Sequence, residues 1–80
     1  NEIDQERMTT VTLPPGAATV GQTLGLLALH AMGVKVVNLR HGNGRMTAPQ
    51  DDTVLTEGDT LVLSGHPAAL SLAEDRLLRG

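Results

Sequence analysis

The chain has 80 residues, 40% of them apolar, with no aromatic residue and no cysteine, and its formal net charge is −3. This composition predicts one small globular domain with an aliphatic core, and it excludes disulfides and thiolate metal sites. It also argues against nucleic-acid binding, which needs a basic stripe and often aromatic stacking platforms, and against a membrane span of about 20 apolar residues.

The N-terminal segment is polar and does not begin with methionine. Residues 1–7 have the sequence NEIDQER and lack the apolar stretch of a secretory signal peptide. We therefore interpret the chain as a fragment of a longer protein, a single domain over residues 1–80 with its folded core at about residues 8–79. A domain of this size has a thin stability margin, so we expect it to dock to a second copy or to a larger host protein.

The first predicted elements are a strand and a helix. Residues 8–13 (MTTVTL) alternate in the manner of a strand and end at a Pro-Pro-Gly turn, which cannot continue the ladder. Thr19 followed by Gln22 has the spacing of a capping box, which predicts a helix over residues 20–32 with Thr19 as its N-cap. Gly33 then stands where a left-handed residue ends a helix.

The predicted helix carries apolar residues on two sides. The main stripe, which we expect to cover the sheet, consists of Val20, Leu24, Leu27, Ala28 and Ala31. Leu26 and Leu29 fall on the other side, which predicts a contact with a second subunit; the alternative is that they are isolated exposed leucines. Gly21 and Gly25 each weaken a helix by roughly 1 kcal/mol relative to alanine. Packing must therefore hold this helix, or glycine must allow another backbone to approach closely.

The rest of the chain predicts three strands and a second helix. Residues 34–40 form a strand, an Asn-Gly turn leads into a short strand at residues 45–48, and residues 60–64 (TLVLS) form another strand. Pro67 suits the first position of a closing helix. The order β-α-β-β-β-α predicts an α+β fold, in which a small mixed sheet packs with helices.

Neither the histidines nor the carboxylates show the spacing of a metal site. His30, His41 and His66 lie at a helix end and in two turns, without the i,i+4 or cysteine-supported spacing of a zinc site. Four carboxylates lack the alternating ligands of an EF-hand loop, namely Asp51, Asp52, Glu57 and Asp59. We predict no metal site and interpret these side chains as surface, cap and turn residues, with a weak ion site as the alternative for the carboxylates.

Ser64 and His66 suggest a nucleophile and a base, with Asp59 as the orienting carboxylate. Catalysis also requires an oxyanion hole and a substrate cleft, and the sequence carries no signature of either. We therefore predict that the chain has no catalytic residue and is not an enzyme, and we keep hydrolysis through Ser64 as an alternative hypothesis.

A cluster of cations surrounds the predicted Asn-Gly hairpin. Arg40, His41 and Arg45 flank a glycine-rich turn and form a candidate contact for an anion; the alternative is a solvated hairpin tip. The glycines themselves match neither a Rossmann fingerprint nor a Walker A sequence.

An ordered set of short segments carries a family resemblance over about residues 8–79. The segments are VGQTL at residues 20–24, GVKV at 33–36, Arg40 with the Gly42 turn, Pro49, TVL at 53–55 and EGDTLVLSG at 57–65. This set resembles the RCK C-terminal (TrkA-C) domain. Residues 27–34 (LALHAMGV) and 73–78 (AEDRLL) look most like the version at the C-terminus of CPA2-type monovalent cation:proton antiporters, relatives of potassium-efflux proteins.

The resemblance implies a cytoplasmic regulatory and dimerising domain on the inner face of the plasma membrane. Its expected partners are a second copy and the transmembrane antiporter domain of the same parent chain, which exchanges K⁺ or Na⁺ for protons. A small-molecule effector is expected in the cleft between copies, where some family members bind cyclic di-AMP. The alternatives are an RCK_C domain of another potassium channel or uptake system that binds cyclic di-AMP, and a structural dimerisation module without a ligand.

One departure from the family pattern concerns the effector. Cyclic-dinucleotide binders of the family carry a basic residue late in the first helix, where this chain has Leu29-His30-Ala31, so the resemblance argues against that ligand. For any effector, we predict a site in the dimer cleft near Val37, Leu39, Arg40 and Met46. The nucleotide-binding RCK N-terminal half with its Rossmann glycines is absent from this sequence, so we predict no NAD or ATP cofactor.

Overall fold

The computed structural model describes residues 5–79, which contain four strands, two α-helices and one 3₁₀ helix. The strands are β1 (Arg7–Thr12), β2 (Lys35–Arg40), β3 (Met46–Thr47) and β4 (Thr60–Gly65). The helices are α1 (Leu24–Leu27), the 3₁₀ helix (Leu29–Met32) and α2 (Pro67–Arg79). The predicted α+β class and element order are therefore confirmed, and Pro67 is the first residue of α2 as expected.

The four strands form one sheet in the order β1-β4-β2-β3. Every pairing among the described strands is antiparallel, so the sheet is antiparallel rather than mixed. The central strand β4 pairs with β1 on one side and with β2 on the other, and Leu61 lies opposite both Val11 and Leu39. A bulge between Val36 and Asn38 shifts the register of β2.

One face of the sheet forms the core. Leu61 and Leu63 of β4 are fully buried there, and α2 covers them with its apolar stripe of Leu70, Ala73 and Leu77. Full burial of a leucine side chain contributes about 1.5–3 kcal/mol, so aliphatic residues alone supply the driving force in a chain without aromatic residues. The periodicity of α2 is thus explained by this contact with the sheet.

The first helical region differs from the predicted helix of residues 20–32. Gly21 has φ of 92° and Ala28 has φ of 51°, so the backbone is helical only in α1 and, after Ala28, in the 3₁₀ helix. Thr19 is not an N-cap: its buried hydroxyl donates to the Leu77 carbonyl oxygen at 2.5 Å. Gly33, with φ of 82°, ends the 3₁₀ helix as predicted.

Gly25 explains how the short α1 is held. A Cβ atom at this position would lie 3.0 Å from both the Cβ and the backbone oxygen of Asp51. The Gly25 amide donates to that same oxygen at 2.9 Å, and the Leu24 amide donates to the Thr53 carbonyl at 3.0 Å. The alternative that glycine allows another backbone to approach is confirmed at this residue. No helix in residues 5–79 has the length and apolar character of a membrane span.

Candidate functional site

The outer edge of β2 borders a cleft. Strand β3 pairs only with Leu39 and Arg40, so the first part of β2 has no strand partner on that side within residues 5–79. A groove of about 370 Å³ lies there, between the 3₁₀ helix and the loop that follows β3. We call it the edge groove; its lining includes Leu29, His30, Lys35, Val36, Pro49 and Asp51.

The edge groove combines apolar surface with three different polar groups. Val36 and Pro49 are partly exposed apolar residues, while His30, Lys35 and Asp51 are exposed and supply an imidazole, an ammonium and a carboxylate. Such a surface suits a ligand with an apolar part and an anionic substituent, because the apolar part gains from burial and the Lys35 ammonium pairs with an anion.

Another cleft lies on the sheet face that α2 does not cover, which we call the open face. Its volume is about 230 Å³, and its lining residues are Thr10, Asn38, Arg40, Met46, Thr60 and Val62. We call it the open-face cleft. The two clefts have no lining residue in common.

The four residues predicted for an effector site are not brought together. Arg40 and Met46 line the open-face cleft, whereas Val37 is exposed and lines neither cleft. Leu39 is fully buried in the core, where no ligand reaches it without opening the fold. Leu39 and Arg40 are neighbours in β2, so ordinary alternation directs them to opposite faces, and the β-bulge between Val36 and Asn38 interrupts the alternation that would pair Val37 with Leu39.

The two leucines predicted for a dimer interface differ in burial. Leu26 is 71% exposed, and its role in a subunit contact stays a prediction. Leu29 is only 3% exposed and belongs to the protomer core, so its predicted position on an exposed second face is wrong. The left-handed conformation of Ala28 breaks the helix between them, and helical spacing no longer places both leucines on one side.

A buried polar network surrounds Asp59. Its Oδ1 accepts hydrogen bonds from His41 Nδ1 at 2.9 Å and from the Thr56 hydroxyl at 2.8 Å, and its Oδ2 accepts the Thr56 amide at 2.8 Å. The other ring nitrogen of His41 lies 3.0 Å from the Thr47 hydroxyl. The network ties the loop before β4 to the β2–β3 hairpin. It was not predicted from the sequence, in which Asp59 was interpreted as a turn residue, with an orienting carboxylate and a weak ion ligand as alternatives.

The structure does not bring together the residues of the hydrolase hypothesis. Asp59 precedes β4 and is fully buried against His41, while His66 follows β4 and is exposed. Six strand residues separate them, which corresponds to roughly 20 Å. Within residues 5–79, no group of three His, Asp or Glu side chains is placed to hold a metal ion.

The cations predicted as an anion contact are likewise split. Arg40 lines the open-face cleft, but His41 turns to Asp59, and Arg45 lines neither cleft. The glycine-rich turn between them is closed by its own backbone, since the Gly44 amide donates to the His41 carbonyl at 2.8 Å.

Comparisons with known proteins support the architecture. The family model of the TrkA-C domain matches residues 8–78. The GsuK channel superposes with a TM-score of 0.78 at 27% identity, and the match covers 96% of this chain and 14% of the channel chain. The crystal structure of the GsuK RCK domain superposes with a TM-score of 0.76 at 27% identity, and that match covers 90% of this chain and 16% of the RCK chain. This chain thus spans about one sixth or less of those relatives. Curated protein sequences give no significant match.

A third structure is comparable in size. The RCK_C domain dimer of BusR from S. agalactiae, in complex with c-di-AMP, superposes with a TM-score of 0.74 at 18% identity, covering 88% of this chain and 93% of that one. At this identity the likeness is one of fold.

Proposed function

The chain belongs to the TrkA-C domain family, and from this premise we propose that it is a dimerising regulatory domain that senses a small effector for a monovalent cation transporter. The edge groove carries the proposal, because it offers a ligand-sized surface beside a strand edge that has no partner strand among the described residues 5–79. The domain has no catalytic role in this proposal.

The proposed dimer joins two copies along the side that contains the edge groove. Two observations support it. Within residues 5–79 the first part of β2 has no neighbouring strand on that side, and the exposed Leu26 belongs to α1, whose first residue Leu24 lines the edge groove. Pairing with a second chain gives hydrogen-bond partners to the backbone groups of an open strand edge and removes exposed apolar surface from water. The BusR domain, which shares the fold, is a dimer.

The proposed effector binds in the edge groove where two copies meet. Val36 and Pro49 support its ring, and Lys35 contacts an anionic group such as a phosphate. Lys35 gives the groove a cation although the end of the first helical region, at Leu29 and His30, has neither arginine nor lysine. Cyclic di-AMP, the ligand of the BusR dimer, is therefore the first probe to test.

The proposed parent protein is a cation:proton antiporter for K⁺ or Na⁺, with this domain on the cytoplasmic face of the membrane. The resemblance of residues 27–34 and 73–78 to the antiporter version supports this choice. Effector binding regulates transport if the effector has unequal affinity for two arrangements of the dimer, because only that difference shifts their populations. An RCK_C domain of a potassium channel is the second candidate, supported by the likeness to GsuK.

Calorimetry of residues 1–80 with cyclic di-AMP, ATP, K⁺ and Na⁺ tests the sensing function. We expect saturable binding of cyclic di-AMP at one ligand per two chains, and a roughly ten-fold loss of affinity in Lys35→Gln. Arg45→Gln removes the same charge outside the groove and should bind normally. A dimer that binds nothing in this panel would instead be a structural module.

The transporter assignment is tested separately with the full-length parent protein in vesicles. We expect K⁺ or Na⁺ gradients to drive proton movement that a pH-sensitive dye reports. We also expect Lys35→Gln to change how strongly the effector alters this proton movement. Cation flux without counter-movement of protons would assign the domain to a channel or uptake system.

A further inference from the structure

The open face combines threonine hydroxyls, methionine and one arginine in neighbouring strands. Two rows cross the sheet there, namely Thr10–Val62–Asn38 and Thr12–Thr60–Arg40–Met46. Met46 is 54% exposed although methionine is apolar. The open-face cleft lies along these two rows.

Arg40 is the chemically distinctive residue of this cleft. Of the described residues that line the cleft it alone is charged, and within residues 5–79 it forms no ion pair with a carboxylate. A guanidinium presents a planar fork of donors that matches a carboxylate or a phosphate. An anion in the cleft would therefore supply the partner that the described part of the chain does not.

The neighbours of Arg40 add further donors and an apolar wall. The side-chain oxygen Oδ1 of Asn38 accepts a hydrogen bond from the Leu39 backbone amide at 3.0 Å, which directs the side-chain NH₂ group of Asn38 away from that bond. The Thr60 hydroxyl lies 2.9 Å from the Thr12 hydroxyl. When Thr12 donates in this hydrogen bond, the proton of the Thr60 hydroxyl is available to a ligand. Val62 and Met46 supply the apolar surface.

We propose that the open-face cleft binds a small organic anion, a carboxylate or phosphate monoester with a short alkyl body. Arg40 holds the anionic group, Asn38 and Thr60 donate to it, and the alkyl body lies against Met46 and Val62. A volume of about 230 Å³ is below the 300–1,000 Å³ range of sites for drug-sized ligands, which favours a compact ligand. The site is separate from the edge groove and does not depend on the proposed effector.

The test is an NMR titration of the amide signals of residues 1–80 with butyl phosphate, butyrate and inorganic phosphate. We expect saturable shifts at Thr10, Thr60 and Val62, and binding of butyl phosphate at least about five-fold tighter than inorganic phosphate because its alkyl chain is buried. Binding of either phosphate probe should weaken roughly ten-fold or more in Arg40→Gln. Arg40→Lys keeps the charge but loses the planar fork of donors, so its affinity should lie between that of the wild type and that of Arg40→Gln.

Arg45→Gln is the matched control, because it removes the same charge from the same hairpin outside the cleft. Its affinity for the phosphate probes should stay within about two-fold of the wild-type value. Equal losses in Arg40→Gln and Arg45→Gln would overturn the proposal in favour of non-specific attraction. Absence of saturation at ~10 mM of every probe would also overturn it, as would shifts confined to the edge groove. Because Arg40 is exposed, these variants should retain the wild-type amide spectrum elsewhere.

Discussion

The hydroxyl of Thr19 donates a hydrogen bond to the backbone carbonyl of Leu77, 58 residues later in the chain. Leu77 lies in the last turn of α2, where carbonyl groups have no partner within the helix. Thr19 is fully buried, so its side chain both fills the core and satisfies one of these carbonyls. This contact fastens the end of α2 to the segment that precedes α1.

The Thr19–Leu77 contact predicts the effect of removing one hydroxyl. Thr19→Val keeps the shape of the side chain but leaves a buried carbonyl without its donor, so we expect a loss of about 1–3 kcal/mol in the free energy of unfolding. Urea denaturation followed by circular dichroism measures it. Thr12→Val, which removes an exposed hydroxyl, is the control and should change stability by less than about 0.5 kcal/mol. Equal stability of the two variants would contradict the role of Thr19.

Asp59 predicts a second, larger effect. Asp59→Asn replaces an acceptor oxygen of a fully buried carboxylate by an NH₂ group that cannot accept from Thr56 or His41. We expect a loss of about 2–4 kcal/mol, measured by the same denaturation. Asp75→Asn is the control, because Asp75 pairs with Arg79 at the surface, and such pairs are worth about 0.3–0.5 kcal/mol.

A double-mutant cycle separates the parts of the Asp59 network. His41→Ala and Asp59→Asn should be non-additive because their side chains contact each other directly. Additive losses would mean that the His41 contact contributes nothing to stability.

Gly25 gives a prediction in which helix propensity and packing disagree. Propensity alone predicts that Gly25→Ala stabilises the helix by about 0.8–1 kcal/mol. The new Cβ atom would lie 3.0 Å from Asp51, so we expect a net loss of about 1–3 kcal/mol. A rise in the thermal midpoint would show that the loop at Asp51 moves aside. Ser71→Ala, at an exposed position of α2, is the control and should stabilise slightly.

Leu26 tests the proposed dimer. Leu26→Asp places a charge on an exposed side chain of α1, so we expect a monomer in analytical ultracentrifugation with an unchanged circular dichroism spectrum. Leu72→Asp is the matched control, since Leu72 is also exposed but lies on α2, and it should remain dimeric. Leu29→Asp should unfold the protomer instead, because Leu29 is buried in the core. A dimer that survives Leu26→Asp would remove α1 from the interface.

The elements that could be predicted from sequence are those whose signals are local. Alternation of side chains indicated β1, the apolar run TLVLS indicated β4, an Asn-Gly turn placed the β2–β3 hairpin, and Pro67 marked the start of α2. The order of short segments also led to the TrkA-C family, which the match over residues 8–78 confirms. The strand, turn and helix signals depend on residues that are neighbours in sequence, and the family pattern depends on the order of short segments, so all of them can be recognised without the three-dimensional structure.

Tertiary structure decided the features that depend on distant residues. The capping-box spacing at Thr19 was overridden because Thr19 contacts Leu77 instead, and Ala28 adopts a left-handed conformation that divides the predicted helix. The bulge in β2 lets Val36 and Leu39 both pack on the core side although three positions separate them, and Arg40 then lies in a cleft on the opposite face. Both clefts are formed by segments far apart in sequence. Spacing along a chain indicates which side chains share a face only while the backbone stays regular, and here turns, a bulge and long-range hydrogen bonds interrupt it.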